Sequence, residues 1–316
     1  MTGLASAARS EMVVRLLRLA PHSGYSRTNL SDVRLLRADA SLPHSPVFYD
    51  ACIVIVCQGR KHAFLGDRIY RYDAQHYLVL SVPLPFISQT EATPQAPLLA
   101  LSIRLNLVML ADLLLILDRE RPIPAATPVG MASTAMDASL ADAVLRLLRA
   151  LENPIEAHAL GAGLLREIHY RMLIGEQGPA MRAALAQREH FGQIARVVHT
   201  MQTRYRERID VAELAHEANM SIASFHNHFK AVTHTSPIQY LKATRLHHAR
   251  LLMIRSGMTA SQASDQVGYE SPSQFSREFK RLFGHAPKEE ARRMRELLRV
   301  KAELAWPDFV PDTSAP

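Results

Sequence analysis

The chain has 316 residues, with 37 Lys and Arg against 30 Asp and Glu, 15 His, 2 Cys, and 48% hydrophobic but only 6% aromatic side chains. That length suffices for two domains with real cores. A charged fraction of 21% and ordinary Gly and Pro counts exclude a disordered, collagen-like or low-complexity chain. The net charge of +7 is concentrated: residues 1–189 net +2, residues 190–300 net +7 and hold nine of the His, and the last sixteen residues net −2. A basic region beside a near-neutral one implies an anionic partner, nucleic acid ahead of a membrane surface, and its potential grows as His protonates.

Cys52 and Cys57 cannot make a disulfide framework, and no Cys/His cluster has zinc spacing. Arg9, Glu11 and Arg15 interrupt the N-terminus, so no secretory signal is expected. The longest apolar run, LVMLADLLLIL, carries Asp112 and falls short of the roughly 20 residues a spanning helix needs. The expectation is a cytoplasmic protein without a membrane partner.

Residues 10–19 read as a short amphipathic helix followed by a loop. From Val33 to about Ile103, short apolar runs separated by turn residues predict an antiparallel sandwich or small barrel, with Gly59 and Gly66-Asp67 at hairpin turns. From Leu107 the period becomes helical, and three helices are expected, either packed on their own sheet or paired with copies of themselves. Cys52 and Cys57 flank the buried-looking CIVIVC run and point to opposite faces. Small buried hydrophobes are the simpler reading, a reactive thiol the other. Val54, Val56, Tyr77 and Val79, with Cys52, are candidates for an effector pocket or equally for core.

The basic region contains an internal repeat. Leu214–Pro237 and Ala263–Pro287 align with Ser221 on Ser271, Phe225 on Phe275, Phe229 on Phe279, Lys230 on Lys280 and Pro237 on Pro287. Each copy has the pattern of a helix-turn-helix. A helix rich in small residues stops at Asn219 or Gly268, which tolerate a left-handed turn. Ser221 or Ser271 then caps a second helix, the latter with Pro272 at N1 and Gln274 in capping-box position. Phe225, Phe229 and Val232, or Phe275, Phe279 and Leu282, make its buried face.

The opposite face carries the base-contact candidates, Ala223, Ser224, His226 and Asn227 in one copy and Ser273, Gln274, Ser276 and Arg277 in the other. Ser221, Lys230, Ser271, Lys280 and Arg281 are the phosphate-contact candidates. Between the copies, Ile238–Ser256 reads as a single helix of roughly 28 Å. That is commensurate with major-groove segments about 34 Å apart.

The run GYESPSQFSREFKRLFGHAP closely resembles the second helix-turn-helix signature of AraC/XylS-type transcriptional regulators, and the first copy and connecting helix match too. The resemblance covers Phe191 to Ala291 and implies a DNA-binding module with two recognition helices, whose base-contacting sites fall on Ala223, His226 and Asn227 in the first and on Ser273, Gln274, Ser276 and Arg277 in the second. One departure is Glu290, where many members have an aromatic residue. Another is Ala223, where some place a large base-contacting side chain.

The QGRK, GDRIYRYDAQHY and LSVPLP runs resemble the companion domain of one subgroup, a cupin-like β-barrel. The organisation implied is an N-terminal helix and loop (1–27), a cupin-like effector or dimerisation domain (28–180), a linker (181–190), the DNA-binding domain (191–291) and a tail (292–316). The fold class is α+β, an antiparallel barrel with dimerisation-type helices joined to an all-α domain.

A cupin-like barrel raises a metal-dependent enzyme as the alternative. Cupin chemistry generally uses an H-x-H pair, a following Glu and a further His. His62 and His76 are isolated, His44 could join them only through tertiary folding, and the His226/His228 pair lies on a helix where i and i+2 diverge. Gly161 and Gly163 follow no strand and make no nucleotide fingerprint. The expectation is a regulator with no catalytic residues, metal or cofactor. It would activate or repress transcription from double-stranded promoter DNA under control of a small-molecule effector, as a homodimer that could contact RNA polymerase.

Overall fold

The computed structural model describes residues 2–120, 126–185 and 189–299. Helix α1 (Thr2–Leu19) precedes nine strands: β1 (Gly24–Arg27), β2 (Val33–Ala38), β3 (Leu42–Tyr49), β4 (Cys52–Gln58), β5 (Arg60–Leu65), β6 (Arg68–Asp73), β7 (His76–Leu80), β8 (Leu84–Glu91) and β9 (Leu98–Arg104). After α2 (Leu107–Glu120) comes β10 (Met131–Ala135), then α3 (Ala138–Ala150), α4 (Pro154–Ile174) and α5 (Gly178–Leu185).

The strands form one antiparallel sheet in the order β1-β2-β9-β4-β7-β6-β5-β8-β3, with β10 added to β7. It curls into a half-barrel whose edge strands β1 and β3 are not paired with each other. Gly59 shows why the β4–β5 turn needs glycine: its φ is +81°, and a Cβ there would lie 2.9 Å from Leu98 Cα.

Strand alternation sorts the core into two layers. Cys52, Val54 and Val56 face the inside of the curl, while Ile53, Ile55 and Cys57 face the layer that includes α1, α3 and α4. Burial on both faces explains the unbroken apolar run of β4. Tyr77 and Val79 belong to the helix-packed layer, so they do not share a pocket with Cys52, Val54 and Val56. Period alone could not assign faces between two strands before their register was known. Asp137 and Asn153 cap α3 and α4 by accepting from Leu140 N and Ile155 N.

The C-terminal part is all-helical: α6 (Glu189–Thr203), α7 (Val211–Glu217), α8 (Ile222–Thr233), α9 (Pro237–Arg255), α10 (Ala260–Gln266), α11 (Pro272–Phe283) and α12 (Pro287–Arg299). Several elements extend past their sequence bounds. α1 begins well before residue 10, α5 occupies 181–185 of the expected linker, and α12 runs to 299 in the expected tail. Residues 186–188 and 300–316 lie outside the described residues. β10 was missed because MASTA carries little β-branched or aromatic signal.

The two parts share one core cluster that runs from Val54, Leu78 and Phe86 through Phe48 to Tyr240, Phe229 and Phe275. The Phe48 ring lies 5.9 Å from Tyr240 and 5.8 Å from His247. Tyr240 Oη donates to Pro83 O at 3.0 Å and accepts from Gln202 Nε2 at 3.1 Å. Arg250 Nη1 donates to Pro46 O at 3.3 Å.

Candidate nucleic-acid interface

Both halves of the repeat fold as helix-turn-helix units, and local chemistry explains each turn. α7 ends at Ala218, and Asn219 takes φ +52°. Asn219 N then donates to His216 O and Met220 N to Ala215 O, satisfying carbonyls the helix leaves open. The second copy repeats this bonding: Gly268 has φ +79°, Gly268 N donates to Asp265 O, and Tyr269 N donates to Ser264 O. Here glycine is also required by space, because a Cβ on Gly268 would overlap Arg206 O.

Ser221 and Ser271 accept from Ser224 N and Gln274 N, starting α8 and α11. The capping box expected at Ser271 does not close, because the Gln274 amide is directed to Glu278 at 3.2 Å. A full box sits instead at Thr259 and Gln262, opening α10.

The burial patterns of the second helices agree almost residue for residue. Phe225, Phe229, Phe275 and Phe279 are completely buried, and Ala223, Asn227, Lys230, Ser273, Gln274, Arg277, Lys280 and Arg281 are exposed. Ser224, His226, Ser276 and Ser271 are half-buried, and Ser221 is exposed. The candidates of each copy therefore share one outward helix face. Helix α9 joins the units with Ser236 as its cap, Pro237 at N1 and Ser256 at its end, within a residue of the expected bounds.

The two faces differ electrostatically. Gln274, Arg277, Glu278 and Arg281 line a groove of about 370 Å³ on α11. Glu278, which sequence reasoning missed, is the hub of this surface. It accepts from Lys242 Nζ at 2.6 Å, Tyr269 Oη at 2.7 Å and Gln274 Nε2 at 3.2 Å. Burial raises its pKa, but those three hydrogen bonds outweigh burial and hold the carboxyl below its usual range. An ionised carboxylate only accepts, so Gln274 must offer it the NH2 and present its carbonyl oxygen outward. The i,i+4 spacing of Gln274 and Glu278 was a usable signal, whereas Lys242 on another helix gave none.

On α8 the charged group is Lys230, and His228 packs its ring 4.1 Å from His190. Burial, then the neighbouring His190, lowers the His228 pKa. The departure at Glu290 resolves into a buried ion pair, with Arg250 at 2.9 Å and Arg293 at 3.0 Å.

In the sheet domain, the suspected metal ligands are dispersed. His62 faces Glu91 at 3.5 Å, His76 faces Asp73 at 3.0 Å, and His44 lies 4.7 Å from the Phe64 ring. Among the described residues no three His, Cys, Asp or Glu side chains gather in a metal-binding group. Both cysteines are free and buried, and burial pushes each thiol up to about 12, which disfavours the reactive thiolate. Cys52 borders a crevice of about 30 Å³ with Asp50, Ser102 and Arg104, room for about one water. No helix among the described residues is long and apolar enough to cross a membrane.

Residues 29–180 match the family of AraC-type transcriptional regulator N-termini, and residues 214–293 match a helix-turn-helix domain family. The lactose operon transcription activator of Staphylococcus xylosus is 27% identical over 141 residues, 44% of this chain and 50% of that protein. The RCS-specific transcriptional activator RclR of Escherichia coli is 38% identical over 87 residues, 28% of this chain and 31% of its own length. The chain thus spans half or less of these curated relatives. A solved structure of ToxT from Vibrio cholerae shares the fold, with a TM-score of 0.50 and 10% identity over 85% of this chain and 98% of that one. An N-terminal domain of the AraC type thus stands ahead of a helix-turn-helix domain, and together the two matches support an AraC-type transcriptional regulator.

Proposed function

We propose that the chain is a sequence-specific regulator of promoter DNA, with residues 191–291 reading DNA and residues 28–180 receiving a small-molecule effector. The observation that carries this reading is the pair of capped helices α8 and α11, whose outward faces hold matching polar positions in the basic third of the chain. α9, about 28 Å long, suits two recognition helices to successive major-groove segments on one face of the duplex. Arg277, Gln274, Ser273 and Ser276 read bases on α11, and Ala223, Ser224, His226 and Asn227 on α8. Lys280, Arg281, Lys230, Ser271 and Ser221 hold phosphates.

Dimerisation would place four such helices on DNA and add effective concentration. Its support is the exposed apolar side chains of α2, with Leu107 at 61%, Val108 at 82% and Leu115 at 65% exposure. The test is genome-wide binding-site mapping followed by footprinting of the recovered sites. The reading expects a shared motif with two protected groove segments about one turn apart per module, and uniform protection of unrelated DNA would refute it.

A further inference from the structure

The inside of the curled sheet holds a charged group without a charged partner. β6, β5 and β8 are adjacent, and register sets Tyr72, Lys61 and Thr90 side by side in one row. Directly opposed residues of antiparallel strands share a face, and all three are buried, with Lys61 5% exposed. Lys61 Nζ donates to Tyr49 Oη at 3.2 Å and lies 5.9 Å from that ring's centre. Among the described residues no carboxylate pairs with it. The nearest acids in sequence register, Asp73 and Glu91, follow Tyr72 and Thr90 on the opposite face, where Arg71 and His76 engage one and Arg60 and His62 the other.

A buried amine served by one phenol oxygen is costly unless an anion completes it. Two further buried oxygens nearby, Tyr72 Oη and Ser88 Oγ, face one another and Tyr49, with no close hydrogen bond that satisfies them fully. Burial raises the phenols of Tyr72 and of Tyr25, which hydrogen-bonds Tyr49, well above 10, so neither supplies negative charge. Ala63, Leu65 and Phe86 continue the same inward face and are apolar.

Resting on the reading of this domain as the effector receiver, we propose that Lys61 anchors an anionic effector, a small monocarboxylate with an apolar body. Its head group replaces Tyr49 Oη on Nζ and accepts from Tyr72 and Ser88. The strand that must yield is β3, an edge strand paired only with β8. Tyr49 and Phe48 are neighbours on it, so displacing Tyr49 from Lys61 also shifts the Phe48 ring against Tyr240 and His247 of α9. The effector is thereby linked to the helix that spaces the two recognition helices.

The experiment titrates the full chain with butanoate, hexanoate and cyclohexanecarboxylate, each beside its uncharged amide, following Tm and isothermal heat. Wild-type protein is expected to bind at least one acid, with Tm rising as its concentration rises, and to bind the amide about tenfold more weakly or worse. Lys61→Met should lose a similar factor for the acid while its own ligand-free Tm stays level or rises. Tyr49→Phe, which removes the competing acceptor, should bind the acid at least as well as wild type. Failure of every acid to bind, equal binding by Lys61→Met, or a lower ligand-free Tm in Lys61→Met would each overturn the proposal. Equal binding of acid and amide to both proteins would remove the anion while leaving an effector site in place.

Discussion

Arg277 and Lys280 sit one turn apart on the exposed face of α11, yet their expected roles differ. Arg277 lines the groove beside Gln274, and Arg277→Ala should weaken operator binding by about 1 to 3 kcal/mol and relax one base position. Lys280→Ala should weaken operator and random DNA alike and lower the salt slope by about 1. Fluorescence anisotropy on both DNAs across a salt series distinguishes the two, and equal losses for Arg277→Ala would refute base reading. Glu278 adds a second contrast. With Gln274 held amide-inward, its outward oxygen is expected to accept from a cytosine or adenine amino group. Glu278→Ala frees the amide to rotate, and selection from a random oligonucleotide pool should show broader preference at that one position with the others unchanged.

The repeat is legible at the scale of elements because its determinants are local. Caps, left-handed turn residues and Phe spacing act within about five residues of one another, so Ser221, Asn219, Ser271 and Gly268 could be assigned before any packing was known. Those turns also carry stability. Gly268→Ala forces a Cβ onto a left-handed backbone against Arg206 O, and should cost at least about 1 to 2 kcal/mol. Asn219→Gly, which meets only the conformational requirement, should be nearly neutral or slightly stabilising. Urea unfolding followed by circular dichroism compares them. By contrast, the Gln274 box failed because a partner four residues onward outcompeted the helix terminus, and β10 was missed because pairing with β7, not propensity, makes MASTA a strand.

At the scale of the molecule, one aromatic and histidine layer joins the sheet to α9. His247 lies between Phe48 and Phe283, and His248 stacks on Tyr205 with ring centres 3.7 Å apart. Burial, with Arg250 and His248 beside it, lowers the His247 pKa well below 6.5, and burial with Arg206 lowers that of His248 to about 3. Both fold neutral, while the unfolded chain takes up their protons near 6.5, so stability from these groups is full above that pH. It is lost progressively as pH falls toward about 3. A urea midpoint that falls between pH 7 and pH 4, by less in His248→Phe, is the expected result. Tyr240→Phe should leave packing intact but remove the bridge from Gln202 to Pro83, costing about 1 kcal/mol.

What the amino-acid order determined alone was the α+β class, the basic address of the net charge, the duplicated recognition helices and the joining helix, all set by short-range periodicity, capping and charge count. Only tertiary structure decided which residues meet across strands and domains. Tyr77 and Val79 parted from Cys52, Val54 and Val56 because sheet faces are defined by register. Likewise Lys242 reached Glu278 from another helix, Phe48 reached Tyr240 across 192 positions, and Lys61 was enclosed with Tyr49. Such contacts follow from how layers stack, and stacking depends on the whole chain at once.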